Sequence, residues 1–420
     1  MNGCPFHQTP PEGFDPYSEA YLKDPAFIYQ NIREEKPIFW FEPLQVWILT
    51  QRKDIDRVLM DSETFSCKSN GNRIEIPEKY QHIITTEMMS EILISMDAPK
   101  HTLARKVAQR GFMRPNMLAL APEIEVRAHK ILDKLVEESK NLDRVEFLEG
   151  YCLELTTQTL MALLNLPQKE EHMMRQLRDD FFKILASARE PMVEPEFSQV
   201  WDRYTKAHLK LRELVKERRN SNNLDIISVM SSAKEADGSP SLSIERIATH
   251  LTEFAAAGTD TTAQAMCNAI IFLSENPEQC ALAQQDPTLW SKVFEETVRR
   301  RPSAPFASRV ATKDTEIAGV TISQGQDVWL ALASANTDPS LGDDLMDFNI
   351  KREPLNEQSH YSFTKGRHTC LGAPLGRTQG TIGLKVAYER LPHLKLAPEN
   401  KSDFMPLAML PIRRTLYVTY

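Results

Sequence analysis

Residues 361–380 read YSFTKGRHTCLGAPLGRTQG. One cysteine, Cys370, follows Gly366 by four residues and precedes Gly372 by two. Glycines on both sides of a cysteine let the backbone approach a flat ligand closely, because no Cβ stands in the way. Helical sequence starts at Leu371 and runs to about residue 388. A cysteine just before a helix meets free N–H groups and the positive helix end, and both favour a thiolate. A thiolate so placed serves as a nucleophile, a redox sensor or an axial metal ligand. A buried, inert cysteine is the structural alternative.

Upstream of this loop the chain is helical in character. MLALAPEIEVRAHKILDKLVEE (117–138), LELTTQTLMALLNL (153–166), EEHMMRQLRDDFFKILAS (170–187) and FSQVWDRYTKAHLKLRELVKERR (197–219) carry apolar residues at helical spacing. The prolines of REPMVEPE (189–196) force a break between the last two. After the linker ADGSPS (236–241), SLSIERIATHLTEFAAAGTDTTAQAMCNAIIFLSENP (241–277) predicts one helix of about 30 residues, capped by Ser243 and stopped by Pro277. TLWSKVFEETVRRRP (288–302) predicts another, ended by Pro302. Strands are few. PIFWFEPLQVWILT (37–50) reads as a hairpin around Glu42-Pro43, and TEIAGVTISQGQDVWLALASA (315–335) as short strands around Gly319 and Gly325. Residues 66–95 have turn signals and no sustained period, and residues 1–20 read as a loose arm. The expectation is one mostly helical domain over 1–420 with a small β part, in which no internal linker separates two cores.

Composition narrows the function. Among 420 residues, 41% are hydrophobic and 26% charged, which excludes a disordered or collagenous chain. The net charge of −8 argues against a nucleic-acid binder. Only 15 glycines occur, and neither G-x-G-x-x-G nor G-x-x-x-x-G-K-[ST] is present. The six cysteines are scattered, which fits a reducing compartment rather than a disulfide framework. No run of 18 apolar residues occurs, and the start MNGCPFHQTPPEGFDP lacks the regions of a secretory signal. A cytoplasmic protein is expected.

Three separated segments together resemble one family, the cytochrome P-450 monooxygenases of the soluble bacterial type. Phe363-x-x-Gly366-x-His368-x-Cys370-x-Gly372 is similar to its haem-thiolate loop, Glu296-Thr297-Val298-Arg299 to its E-x-x-R motif, and Ala257-Gly258-Thr259-Asp260-Thr261-Thr262 to its oxygen-activating motif. The likeness extends from the 37–50 hairpin to the chain end. It implies a mainly α fold with haem b buried between a long distal helix and the proximal cysteine loop. It implies Cys370 as the iron's axial ligand, whose electron donation weakens the O–O bond. It implies Asp260 and Thr261 as an acid–alcohol pair that brings protons to bound dioxygen, with Gly258 and Ala257 leaving room for it. Phe363 and Gly372 flank the ligand. His101, Arg105, Arg309 and His368 are implied as haem-propionate contacts, with His101 and Arg105 one helical turn apart. Glu296, Arg299 and Arg352 are implied as a buried structural charge network. One departure stands out: the family usually has glycine after the loop's Phe, and this chain has Thr364, then Lys365.

The implied activity inserts one oxygen atom of O2 into a largely apolar small molecule, in secondary metabolism. Electrons come from NAD(P)H through ferredoxin reductase and ferredoxin, and a monomer is expected. Lys106, Arg110, Arg114, Lys365 and Arg367 lie in segments that the resemblance puts around the cysteine side, where an acidic ferredoxin docks. The alternatives are a peroxide-driven peroxygenase, against which Asp260–Thr261 speaks, and a haem-binding sensor without turnover. For the pocket, Glu253 lies two turns before Thr261 on one helix face, where the family generally has an apolar residue. A carboxylate there needs a partner. A substrate amine or hydroxyl would supply one, as would His250. The expectation is a substrate with a polar, even basic, group. Ala256 and Ala257 keep the wall small, Pro305, Phe306 and Met409 are placed on it as well, and residues 68–95 and 189–196 form the lid.

Overall fold

The segment around Glu42-Pro43 forms the expected hairpin. Strands β1 (Ile38–Phe41) and β2 (Val46–Leu49) pair antiparallel with Ile38 opposite Leu49. All eight side chains are buried, because the period of two feeds two different cores. Ile38, Trp40, Trp47 and Leu49 join one apolar cluster, and Phe39, Phe41, Val46 and Ile48 join another with Phe14, Tyr21 and Tyr29. The sheet is completed by β3 (Phe65–Ser66), β4 (Phe306–Ala311) and β5 (Asp327–Ala331), in the order β1-β2-β5-β4-β3. β5 lies parallel to β2 and antiparallel to β4. A separate hairpin, Thr315–Ile317 with Val320–Ile322, turns at Ala318 and Gly319, both left-handed at φ 49° and 76°. These are the short strands expected there.

The computed structural model describes residues 10–68, 74–187, 191–219, 221–354, 360–398, 400, 403–405 and 407–420. The first part of the expected arm (1–9) and parts of the expected lid (69–73 and 189–190) lie outside the described residues. The helices follow the apolar periodicity: α1 (Lys100–Gln109), α2 (Arg114–Glu138), α3 (Glu154–Leu163), α4 (Glu171–Ala186) and α5 (Glu196–Glu217). α2 begins three residues earlier than its sequence predicts, because Pro115 suits a first helical turn. The segment before α3, Leu148–Leu153, is a π-helical turn rather than α-helix.

The expected distal helix is not continuous. It divides into α6 (Ile244–Ala257) and α7 (Asp260–Glu275), broken at Gly258 and Thr259. The break has a local cause. The Thr259 hydroxyl donates to the Ala255 carbonyl and the Thr261 hydroxyl to the Ala257 carbonyl, each at 2.7 Å. Hydroxyls that take carbonyls of the preceding turn compete with the backbone ladder. The predicted ends hold: the Ser243 hydroxyl accepts from the Arg246 amide, and α7 stops before Pro277.

Helices α8 (Trp290–Arg300) and α9 (Ala373–Arg390) complete the frame. α7, α8 and α9 share one apolar cluster, which includes Met266, Phe294 and Leu384. Burying each such large side chain contributes about 2–3 kcal/mol. The packing therefore sets the distal motif on α7 against the helix that Cys370 precedes. Cys67, Cys152, Cys267, Cys280 and Cys370 are free thiols. Among the described residues no helix is long and apolar enough to cross a membrane.

Candidate active site

The cysteine loop is closed by the Cys370 amide, which donates to the Phe363 carbonyl at 2.8 Å. Thr364 takes the left-handed conformation at φ 55°, so threonine adopts the shape that glycine usually supplies. Its amide donates to the Tyr361 carbonyl at 2.8 Å and its hydroxyl to the His368 carbonyl at 2.6 Å. At Gly366, φ is 75° and a Cβ would lie 2.8 Å from the Leu59 carbonyl oxygen, so only glycine fits. α9 starts at Ala373, two residues later than the sequence predicts.

The Cys370 thiol sits among groups that favour a thiolate. Burial pushes its pKa up, against the amides of Gly372 and Ala373 and the guanidinium groups of Arg105 and Arg377, and burial wins. Yet Cys370 keeps accessible surface. A metal cation at that sulfur reverses the balance, since a coordinating thiol is deprotonated outright. Arg377 lies over the Phe363 ring at 4.3 Å and bonds Glu295, which also meets His360 Nε2 at 2.8 Å.

Two arginines and two imidazoles gather beside this sulfur. His101 on α1 is 3% exposed and its ring stacks on that of His368 at 4.0 Å. Burial, then His101 and Arg309, push His368 down to about 3. Burial, then Arg105, lowers His101. His101 Nε2 is buried with no hydrogen-bond partner. The sequence-predicted set of His101, Arg105, Arg309 and His368 is thus one cluster that repels positive charge. It suits anions, as two propionates would be, and the neighbouring sulfur suits a soft metal. The residues present therefore fit haem b. Two members were not legible in the sequence. Cys67 Sγ, an Asp97 oxygen and a His368 nitrogen lie within 4.8 Å of one another. Asp97 accepts from the Ser66 hydroxyl at 2.5 Å and the Cys67 amide at 3.0 Å. Cys67 reads only as one of six scattered cysteines, and no spacing signal marks it.

At the break between α6 and α7, Ala257 is exposed and Thr261 half-buried, whereas Asp260 is only 4% exposed. A Cβ at Gly258 would meet the Phe254 carbonyl oxygen at 2.9 Å. Burial raises Asp260 to about 7. Its cationic neighbour, Arg178 on α4, stands off at 3.5 Å and is shared with Asp179 at 2.7 Å. The Thr261 carbonyl accepts from the Ser303 hydroxyl at 2.7 Å. Arg178 is 82 positions away in a run, RDD, that reads as a solvated helix face, so its part in the site was not legible.

Beneath the loop the predicted charge network is complete. Glu296, fully buried, accepts from Arg299 at 2.6 and 2.8 Å, from Arg352 at 3.2 Å and from the Asn349 amide at 3.0 Å. Arg299 also donates to the Asn336 and Leu345 carbonyls.

The expected pocket wall is corrected at several positions. Glu253 does not face an open space. Its carboxylate is 4% exposed and accepts from the Leu93 and Ile94 amides at 2.8 and 3.1 Å. The Phe306 ring is 3% exposed and packs among Tyr21, Tyr29 and Trp329, because alternation along β4 turns it into the aromatic core. Met409 packs on that same cluster. Pro305 is buried and its carbonyl accepts from Leu332. Ala256 is 1% exposed and faces the helical core, while its neighbour Ala257 does not.

A family profile described as Cytochrome P450 matches residues 29–386. The chain is 27% identical over 387 residues to the Biotin biosynthesis cytochrome P450 of Bacillus subtilis (strain 168), covering 90% of this chain and 92% of that one. Its fold is similar to the crystal structure of P450BioI in complex with hexadec-9Z-enoic acid ligated acyl carrier protein. There the TM-score is 0.81, identity is 24%, and coverage is 96% of this chain and 100% of the other. It is also similar to epothilone D-bound cytochrome P450epoK, with a TM-score of 0.83, 24% identity, and coverage of 97% and 99%.

Proposed function

Because this chain belongs to the cytochrome P450 family, and is thereby a haem b monooxygenase, we propose that the whole chain acts as one domain that inserts an oxygen atom of O2 into a bulky, largely apolar small molecule. Electrons come from NAD(P)H through ferredoxin reductase and ferredoxin. The observation that carries this reading is a buried acid, Asp260, whose pKa burial raises to about 7, next in sequence to Thr261 on the helix packed against the one that Cys370 precedes. Cys370 would hold the iron, and His101, Arg105, Arg309 and His368 the propionates, with Phe363 and Gly372 flanking the sulfur. When bound, the haem would supply the activation of O2, at an iron that the Cys370 sulfur would hold. Asp260 holds a proton near neutral pH and is its source, and the Thr261 hydroxyl, next in sequence, has an oxygen lone pair free to accept a hydrogen bond while it donates to the Ala257 carbonyl. Arg178 sets how readily Asp260 releases that proton. An acid–alcohol pair of this kind speaks for O2 rather than peroxide as the oxidant.

Glu253 is engaged by protein amides, so the expected reader of a basic substrate group is lost and an apolar substrate is favoured. A bulky substrate agrees with the similar structures, P450BioI in complex with hexadec-9Z-enoic acid ligated acyl carrier protein and P450epoK bound to epothilone D. For the electron donor, Lys106, Arg110 and Arg367 are exposed, whereas Lys365 is paired with Asp56 at 2.6 Å and offers less charge. The test is Thr261→Ala, assayed with a compound chosen by its low-to-high-spin shift. The variant should bind that compound as wild type does and turn NAD(P)H consumption from product to peroxide. A variant as well coupled as wild type overturns the assignment.

A further inference from the structure

One face of α6 carries Arg246, His250, Glu253 and Ala257, spaced four, three and four residues apart, and the same stripe leads to Thr261. Against it lies the segment from Thr86 to Met96, which ends in a short 3₁₀ turn, Leu93–Ser95. That turn begins without a side-chain cap of its own, because Ile92 at its N-cap has no acceptor. Its two leading amides are satisfied instead by Glu253, 160 residues away in sequence for Leu93 and 159 for Ile94. Two turns earlier, Arg246 grips the same segment: it donates to Glu91 Oε2 at 2.6 Å and to the Glu91 carbonyl at 2.9 Å. Between the two grips lies His250, 0% exposed, with both ring nitrogens lacking a hydrogen-bond partner. Its Nδ1 is 3.5 Å from Glu253 Oε2.

We propose that Glu253 is a positioning residue that latches the Leu93–Ser95 turn onto α6, two turns before Thr261, and that His250 is its second partner when the turn lifts. Closed, the carboxylate caps the turn and fixes Leu93 and Met96, both buried, as apolar wall over the distal helix. Open, the carboxylate would be stranded in an apolar interior at high cost. A hydrogen from His250 Nδ1 then replaces those of the two amides, so opening is a switch between partners and not a plain loss. The carboxylate that occupies an otherwise apolar wall is explained by the lid it holds, and it acts on which molecules reach Thr261 and how fast.

The test is amide hydrogen exchange on the haem-loaded protein, read together with the rate at which 4-phenylimidazole shifts the Soret band. Glu253→Gln keeps the shape but turns one amide toward an NH2 group. Exchange at Leu93 and Ile94 should rise by about tenfold, the scale of a lost charge-assisted hydrogen bond, and 4-phenylimidazole should bind faster. His250→Leu should act in the opposite sense, slowing both, and His250→Gln should restore wild-type rates because it keeps a donor. Unchanged exchange at Leu93 and Ile94 in Glu253→Gln overturns the latch. So does a rise spread evenly over all helices, which marks a merely structural role. Faster or unchanged opening in His250→Leu overturns the second-partner role, and its opposite sign keeps the proposal testable even if Glu253→Gln fails to fold. The exchange readout does not depend on the proposed oxidation chemistry.

Discussion

Glu295 and Glu296 on the proximal side and Asp260 on the distal side are all buried carboxylates, and the fold treats the two sets in opposite ways. Beneath the cysteine loop, Glu296 is held by two arginines and a backbone amide, and Glu295 by Arg377 and His360. Burial pushes Glu295 up, but the bonds from His360 and Arg377 outweigh it and hold the carboxyl below its usual range. On the distal side, Asp260 has one cation at 3.5 Å, shared with Asp179, and burial carries it to about 7. Burial is similar on the two sides and pairing is not. Full pairing makes a carboxylate a strut, and incomplete pairing leaves one that can carry a proton at physiological pH.

The largest effect is expected at the proximal sulfur. Cys370→Ala should abolish turnover and remove the red-shifted Soret band of the reduced, carbon-monoxide-bound form, since the other thiol of the cluster, Cys67, is pushed up to about 11 by burial and stays protonated. A band unchanged in the variant would mean that the ligand lies elsewhere. Next comes the strut. Glu296→Gln leaves Arg299, 1% exposed, without its counter-charge. Breaking a buried pair in this way costs about 3–5 kcal/mol, to be read as a lower denaturant midpoint with haem loss. A cost below 1 kcal/mol would break the comparison, because the proximal pairing would then not be structural.

The pH dependence separates the two kinds of carboxylate directly. Asp260 has a folded pKa of about 7 against an ordinary 3.8, so the folded chain holds that proton more tightly. Stability from this group is full below about pH 4 and falls as pH rises toward 7, by at most about 4 kcal/mol. Asp260→Asn should remove that fall and so gain on wild type over the same range. Glu295 is the reverse: its folded pKa lies below the ordinary 4.5, so its contribution is present above that value and is lost as pH falls. Glu295→Gln should therefore narrow its deficit against wild type in acid. Denaturation midpoints of both variants against pH decide the matter. Parallel slopes would show that the two sides do not differ as described.

Why some of this was legible and some not follows from the range of the interactions. The hairpin, the helices and the cysteine loop are set by local periodicity, proline stops and turn residues, and these read directly. Cys370, Glu296 and Arg299 sit in short motifs whose order is specific, so they could be placed before any fold was seen. The break at Gly258–Thr259 was missed because apolar period runs through it, while hydroxyl-to-carbonyl bonds that no period reveals interrupt the ladder. Phe306 was misplaced because strand alternation decides which of two faces it takes, and both faces of that sheet are buried. The partners of Glu253 and Asp260, namely the Leu93 and Ile94 amides and Arg178, come from segments 80 to 160 residues distant. Backbone amides carry no sequence signature, and an arginine beside two aspartates looks like surface.

The smallest effect tests the one departure in the loop. A β-branched residue at φ 55° costs about 1–2 kcal/mol, and in Thr364 this is offset by the hydroxyl bond to the His368 carbonyl, a contribution of about 1 kcal/mol. Glycine removes the strain and the bond together, and it also loosens the unfolded chain. Thr364→Gly should therefore shift stability by no more than about 1 kcal/mol in either direction. Thr364→Val keeps the branched strain and loses only the bond, so it should be the less stable of the two by about 1 kcal/mol. Both should retain the thiolate band, since the Cys370 amide bond to Phe363 is untouched. If the valine variant matched wild type in urea midpoint, the hydroxyl would not be what reconciles threonine with a glycine's place, and the loop would have to be held by the Tyr361 and Phe363 carbonyls alone.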